Sequence, residues 1–399
     1  MAKNYADLYV STNDSSALEQ RFYLKQESTK GDIIAPQDGD FFYTLASGSI
    51  EFSQPFESSP HRSGRHHLDI IKQKKTLSWS LTTFLNIDES LGSASTAEID
   101  QPVRTLFKSL LGKEVTSPNL IYTAATAPDI TFSMMEVGDK WARQARGCFV
   151  NSGTMTFPGD GQAQVEWSGN GVESVLVGIG KSTVDNDGGN TITLQSGEGK
   201  KFPVGSLVMI VEANGTTRSA DTASGTARKV TSVVGDVVTV NGSALADADG
   251  SGVGAPIYLC YYEPAAPAAI NNPVTGLVGS ISVVGLTMPC FRSATVAMAN
   301  DHELVDYCYG EDALAGSIFV PGNRFTATVT VEMNLNDEMV KFFNDIQEFD
   351  AKDITVVLGD AAGRHLEVAM PNVKFNVPAF AIPETGSIPV SFEGNAFQT

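Results

Sequence analysis

The chain has 399 residues, enough for two or three domains and more than one buried core. Apolar residues make up 42% of it, which excludes intrinsic disorder, and no run approaches the roughly 18 apolar residues of a membrane helix. The formal net charge of −19 makes the whole chain a poor binder of DNA, whose phosphates are held by Lys and Arg; composition alone favours a role in solubility over that of a surface DNA passes without sticking.

Residues 1–20 are polar and read as an N-terminal arm. One early Lys is followed by Asp7 with no apolar run, so a signal peptide is not expected and synthesis in a cytoplasm is. A first β-rich region spans 21–181. Within it Leu77, Trp79, Leu81, Thr83 and Leu85 alternate with Ser78, Ser80 and Thr82, the period-two pattern of a strand with one buried face. Val103, Leu106, Phe107, Leu110 and Leu111 then fall at helical spacing. Asp100 lies just before them, Pro102 suits the first turn and Gly112 suits the stop. Trp79, Trp141 and Trp167 sit in strand patterns and read as core.

A Gly/Asp-rich break at 184–190 opens a central unit, 182–264, which reads as an inserted small β-barrel. Its expected strands are 191–194, 207–211, 229–234, 237–240 and 257–261, with Gly235-Asp236 as a tight hairpin turn. A Pro/Ala-rich linker at 263–273 leads into a second β-rich region, 265–399. There Phe325, Ala327, Val329, Val331 and Met333 alternate with Thr326, Thr328 and Thr330. A helix carries Met339, Phe342, Phe343 and Ile346, with Asn336 as its cap and Asp337 and Glu338 at the positive end of its dipole.

The two outer regions read as copies of one unit. The helices match at a shift of 236 and the strands before them at 248. Asp129-Ile130-Thr131 matches Asp353-Ile354-Thr355 at 224. Pro158, Val165, Trp167, Gly169 and Asn170 answer Pro383, Val390, Phe392, Gly394 and Asn395 at 225. Four collinear matches imply duplication, with the central unit inserted between the copies.

No chemical motif carries an activity. Val177-Gly178-Ile179-Gly180-Lys181-Ser182-Thr183 resembles the tail of a phosphate loop, but Val175 stands where its first Gly is needed and no helix can follow. Asp185–Gly188 and Asp247–Gly250 lack the Glu that completes a calcium loop. His61, His66 and His67 share their segment with Arg62 and Arg65, with no Cys or carboxylate within 58–67, and read as a solvated basic loop able to face an acidic neighbour. His302 and His365 are isolated. Cys148, Cys260, Cys290 and Cys308 form no C-x-x-C pair and are expected as free thiols. No catalytic, cofactor-binding or metal residue is expected, and no cofactor. The chain is expected not to be an enzyme.

The C-terminal region resembles the repeated domain of the major tail tube proteins of long-tailed bacteriophages. The resemblance runs through strand 324–334, helix 337–346, 354–359 with Asp360-Ala361-Ala362-Gly363-Arg364, strand 365–370 ending at Pro371, and Ala381-Ile382-Pro383-Glu384-Thr385-Gly386 leading into 388–397. It covers the last 110 or so residues well and 40–175 more loosely. It implies a mainly β fold of two tandem sandwich or half-barrel units, each with one short helix, plus the inserted barrel. It also implies a virion protein, made in the host cytoplasm and residing in the tail, whose rings stack into a tube. The implied partners are other copies of itself, the tape-measure protein, the tail terminator and the distal tail or baseplate proteins. DNA passes through the lumen without specific binding, and no membrane is involved. Two units per chain imply a trimeric ring that imitates a hexamer, and the extra β-unit suits a non-contractile tail with no sheath. The runner-up is a virion decoration or carbohydrate-binding module, which would expose aromatic residues on a shallow face.

Overall fold

The structure is a computed structural model. It describes the chain except residues 1–2, 16–19, 46–47, 59–60, 64–65, 68, 87–98, 117–119, 127, 184–188, 220–221, 223–225, 244, 246–255, 266–278, 285–290, 306–317, 321, 323, 360–365, 380–381, 384 and 398–399, and side chains within 62–68, 305 and 318–319 are likewise not described. The fold is mainly β. A sheet of fourteen strands runs through both outer regions, and a separate six-stranded sheet forms the centre of the chain.

The outer regions share one strand order. In the first, neighbours run Arg21–Gln26, Phe132–Val137, Ala142–Pro158, Gln164–Gly171, Thr76–Phe84, Ser49–Ser53. In the second they run Gly279–Val283, Lys352–Leu358, Leu366–Phe375, Pro389–Ala396, Phe325–Asn334, Phe291–Asn300. The order along the chain is also the same, and each region places its helix, Gln101–Leu111 or Asp337–Gln347, between equivalent strands.

A shared β-bulge makes the correspondence residue-specific. Phe132 faces Cys148 and the ladder resumes with Met134 opposite Ala145; Lys352 faces Val373 and it resumes with Ile354 opposite Met370. Each bulge contains a left-handed residue, Gly147 at φ 62° and Asn372 at φ 57°. Each gives its N–H to a carboxylate: Gly147 to Glu27 Oε1 at 2.8 Å, Asn372 to Asp353 Oδ1 at 2.9 Å.

The pairings correct two of the shifts expected from sequence. Trp167 faces Leu81 while Phe392 faces Val331, so these strands correspond at 250, not 248. The slip is two residues, one full pleat. It leaves the same residues on the buried face, which is why alternation alone cannot detect it. Met134 corresponds to Ile354 at 220, so Asp129-Ile130-Thr131 lies ahead of its strand and is not equivalent to Asp353-Ile354-Thr355.

One apolar core runs through both regions. The helices bury Val103, Leu106 and Leu110, and Met339, Phe342 and Ile346, against it. Gly112 closes the first helix at φ 86°, and the Asn336 side chain accepts from Met339 N–H at 3.0 Å to cap the second. Phe107 meets Trp167 edge-on at 5.0 Å, and Phe342 meets Phe392 at 5.2 Å. Gly169 is required by close approach, since a Cβ there would lie 1.9 Å from the Phe149 carbonyl. Trp79 and Trp167 are buried, whereas Trp141 is half-buried, because it precedes strand Ala142–Pro158 at the sheet's end.

The central unit is a closed barrel. Its order is Ile179–Lys181, Tyr258–Tyr261, Leu207–Val211, Arg228–Val234, Val237–Val240, Thr191–Thr193, and a bridge between Ser182 and Leu194 joins the last strand to the first. Gly235, at φ 62°, makes the expected hairpin turn. The barrel is not free-standing. Its core continues into Tyr23, Met135, Val137, Ala142 and Val177 on the face of the first region's sheet opposite the helix. The Gln144 amide pairs with Leu207 like a strand residue, accepting from its N–H and donating to its carbonyl, both at 2.7 Å. The equivalent face of the second region carries Ser282, Thr355, Val357 and Glu367, none of them buried, and among the described residues no barrel covers it.

The expected arm is a docked element. Helix Tyr5–Val10 packs on the barrel, with Tyr5 buried and its phenol donating to Glu263. Burial, then the charge of Glu263, pushes the Tyr5 pKa far above its usual value, so the phenol stays a donor. Lys3 pairs with the same carboxylate at 3.1 Å and Arg21 at 3.4 Å. Three segments distant in sequence thus meet at Glu263, which the charge pattern of residues 1–20 alone does not reveal.

Candidate functional surface

The first region's sheet joins the second's edge to edge. Residues 152–158 of strand Ala142–Pro158 pair with 293–299 of strand Phe291–Asn300. The sheet therefore continues from Ser49–Ser53 to Pro389–Ala396 across the junction. Residues directly opposite in antiparallel strands share a face. The apolar face lies under the helices, and the other face is polar.

Rows cross this polar face unbroken. One is Ser49, Ser80, Ser168, Ser152, Ala299, Thr326. The next is Thr82, Glu166, Thr154, Ala297, Thr328, Asn395. The first is built from small hydroxyl and methyl groups and the second adds the Glu166 carboxylate and the Asn395 amide, all half-buried or exposed. Neighbouring hydroxyls satisfy one another: Ser49 with Ser80 at 3.1 Å, and Ser152 with Ser168 at 2.6 Å. The carboxylates of Glu51, Glu166, Glu332 and Glu393 belong to this face by register. Arg292 stands beside it with Glu332 at 3.7 Å. The Lys374 amine, in the row of Asn395, lies over the rings of Phe349 and Phe397 at 4.7 and 5.4 Å. Such a face hydrates well, offers phosphate little to bind and repels it at close range.

The remaining sequence candidates are placed as follows. The phosphate-loop look-alike runs into barrel strand Ile179–Lys181, and the next described element is another strand, Thr191–Thr193. Asp185–Gly188 and Asp247–Gly250 fall outside the described residues, and so do His365, Cys290 and Cys308. His61 is exposed, and the side chains of His66 and His67 lie outside the description. His302 accepts from Gly322 N–H at 2.9 Å on Nδ1, and burial lowers its pKa to about 4. Cys148 and Cys260 are free and buried, and burial pushes both thiols up. Among the described residues no group of His, Cys, Asp and Glu is placed to hold a metal, and no helix is long and apolar enough to cross a membrane.

Sequence reasoning missed the polar face as a unit. Its signal was present in the Ser/Thr alternation of 76–84 and 325–334, but only the pairing shows that five more strands carry the pattern into one surface. No protein-family model matches this chain, and no curated protein matches it.

Proposed function

We propose that this protein is the major tail tube protein of a long-tailed bacteriophage. In this reading three chains close a ring of six units, and rings stack into the conduit through which the genome leaves. The carrying observation is the uninterrupted polar face across the junction of two equivalent units. A barrel of six such units would be lined by hydroxyls and carboxylates, with the helices on its outside. DNA would slide past such a lining, because each unpaired Lys or Arg near a phosphate adds an ion pair that must break. Closure into a ring also removes sheet edges that otherwise invite aggregation.

The lumen would hold the tape-measure protein first and DNA later. The ends of the tube would meet the terminator and the distal tail or baseplate proteins. The rival decoration or sugar-binding module gains little support, since Trp79 and Trp167 are buried and cannot stack on a sugar. Nothing on the polar face resembles a catalytic constellation, and the reading is of a structural protein. Negative-stain imaging of the purified chain, with mass measurement of single rings, tests it. The expected result is tubes or rings with three chains per ring. Rings of six chains would refute the shared role of the two units, and a persistent monomer would refute the tube.

A further inference from the structure

We infer that Asn241-Gly242, just after barrel strand Val237–Val240, is a self-modification site, where the chain's own backbone converts Asn241 to aspartate or isoaspartate with loss of ammonia. The site lies in the barrel and is independent of the tube reading. In the reaction the Gly242 N–H gives up its proton and the nitrogen bonds to Asn241 Cγ. The Cγ–Nδ2 bond breaks, and the amide leaves as ammonia with that proton. The succinimide ring so formed then takes up one water. Opening at Cγ leaves aspartate, and opening at the backbone carbonyl carbon leaves isoaspartate. Nothing is oxidised or reduced, and the nucleophile is already tethered beside its target.

Three features equip this pair. Lys229 N–H donates to Asn241 Oδ1 at 2.7 Å, while Asn241 N–H donates to the Lys229 carbonyl at 2.9 Å. The first bond polarises the amide carbon under attack and supports the negative charge that its oxygen takes on. Arg228 Nη1 donates to the Asn241 carbonyl at 2.9 Å. That carbonyl is conjugated with the Gly242 nitrogen, so a cationic donor on it stabilises the deprotonated nitrogen. Arg228 also lies against Gly242 Cα. A Cβ there would stand 1.6 Å from Nη1, and φ is 96°, so only glycine fits and the nitrogen stays unshielded.

The surroundings hold the site still and leave it wet. Asn190 Nδ2 donates to the Gly242 carbonyl at 2.9 Å, and Val240 N–H donates to the Asn190 carbonyl at 2.9 Å. Arg228 is buried, whereas Asn241 and Gly242 are exposed, which admits the water that opens the ring.

The chain has two other Asn-Gly pairs, and the fold guards both. Asn170 and Gly171 end strand Gln164–Gly171 opposite Ser78 and Leu77, and the extended ladder keeps the side-chain amide away from the next nitrogen. At Asn214-Gly215 the nucleophile itself is tied, because Gly215 N–H donates to the Glu212 carbonyl at 2.9 Å. Asn214 Oδ1 is fixed in its turn by the N–H groups of Thr216 and Thr217 at 2.9 and 2.8 Å. Among the described residues no such bond ties the Gly242 N–H.

The test incubates the full chain in mildly alkaline heavy-oxygen water, once folded and once unfolded in guanidinium chloride. Digestion and mass spectrometry then follow the three Asn-Gly peptides over time, each conversion marked by one heavy oxygen. In the folded chain Asn241 should convert about tenfold faster than Asn170 or Asn214, and faster than Asn241 does in guanidinium. Chromatography should resolve both aspartate and isoaspartate at that position. Asn241→Gln, which needs a larger ring, should not convert. Arg228→Lys withdraws the planar donor from the Asn241 carbonyl and should slow the folded chain about tenfold while leaving the rate in guanidinium unchanged. If that variant loses its near-ultraviolet circular dichroism, the parent's ratio of folded to unfolded rates decides alone. Conversion at Asn241 that is slower folded than unfolded, or no faster than at Asn214, would overturn the assignment. A folded Arg228→Lys chain that converts at the parent's rate would overturn the role of Arg228.

Discussion

Glu27 is buried, and its carboxylate accepts four hydrogen bonds. Oε2 takes Gly31 N–H and the Thr131 hydroxyl, both at 2.7 Å; Oε1 takes the Ser133 hydroxyl at 2.9 Å and Gly147 N–H at 2.8 Å. It thereby ties the bulge to the strand Arg21–Gln26 that precedes it. Glu27→Gln keeps the shape and turns one acceptor into a donor. With its amide oxygen on the Gly147 side, the NH2 group faces Gly31 N–H, while the Thr131 hydroxyl can turn to accept. One amide N–H loses its partner, costing about 1–3 kcal/mol, and the two bonds that survive lose their charge assistance, about 0.5–1 kcal/mol each. The expected loss is about 2–5 kcal/mol. Urea unfolding followed by tryptophan fluorescence should show it, since Trp79 and Trp167 lie in the same region's core. The midpoint should fall with the slope unchanged. Glu27→Ala, which strands all four donors, should lose more than Glu27→Gln. A change below about 0.5 kcal/mol for both variants would mean that the carboxylate does not hold the bulge.

Gly147→Ala should destabilise by about 2–4 kcal/mol, because Ala is strained at a φ of 62° and its Cβ would lie 2.6 Å from Val172 Cγ2; an unchanged urea midpoint would contradict that geometry. Glu114 gives a pH signature. Burial acts to raise its pKa, but hydrogen bonds and charge from Arg104 and Lys108 prevail and hold it at about 2, below 4.5. Its contribution is therefore full above pH 4.5 and is lost as pH falls through about 2. The stability difference between the parent and Glu114→Gln should shrink over that window, and a difference independent of pH would count against the ion pair. Replacing 182–264 by a short linker should give insoluble protein, because it bares Tyr23, Met135 and Val137. Adding Tyr23→Ser and Met135→Thr, the residues that the second region carries at the equivalent Ser282 and Thr355, should restore solubility; a deletion that is soluble without them would show that the barrel does not protect this face.

Local chemistry determined the elements and their kind. Alternation placed Leu77, Trp79 and Leu81 inside and Ser78 and Ser80 outside, because a pleated strand has a period of two. Helical spacing, Pro102, Gly112 and Asn336 fixed both long helices with their ends. Gly169 and Gly394 marked equivalent crowded positions before any pairing was known. The period of two also set the limit of that reading. A slip of two residues preserves every face, so the true shift of 250 could be read only from hydrogen-bonded partners. The edge junction, the docking of helix Tyr5–Val10 at Glu263 and the core shared between the barrel and Met135 join residues far apart in sequence. Such contacts depend on which surfaces remain uncovered after each unit has folded. Tertiary packing decides that, since a buried apolar face in one copy and a hydrated one in the other, Met135 against Thr355, arise from strands of the same period and the same place in the sheet.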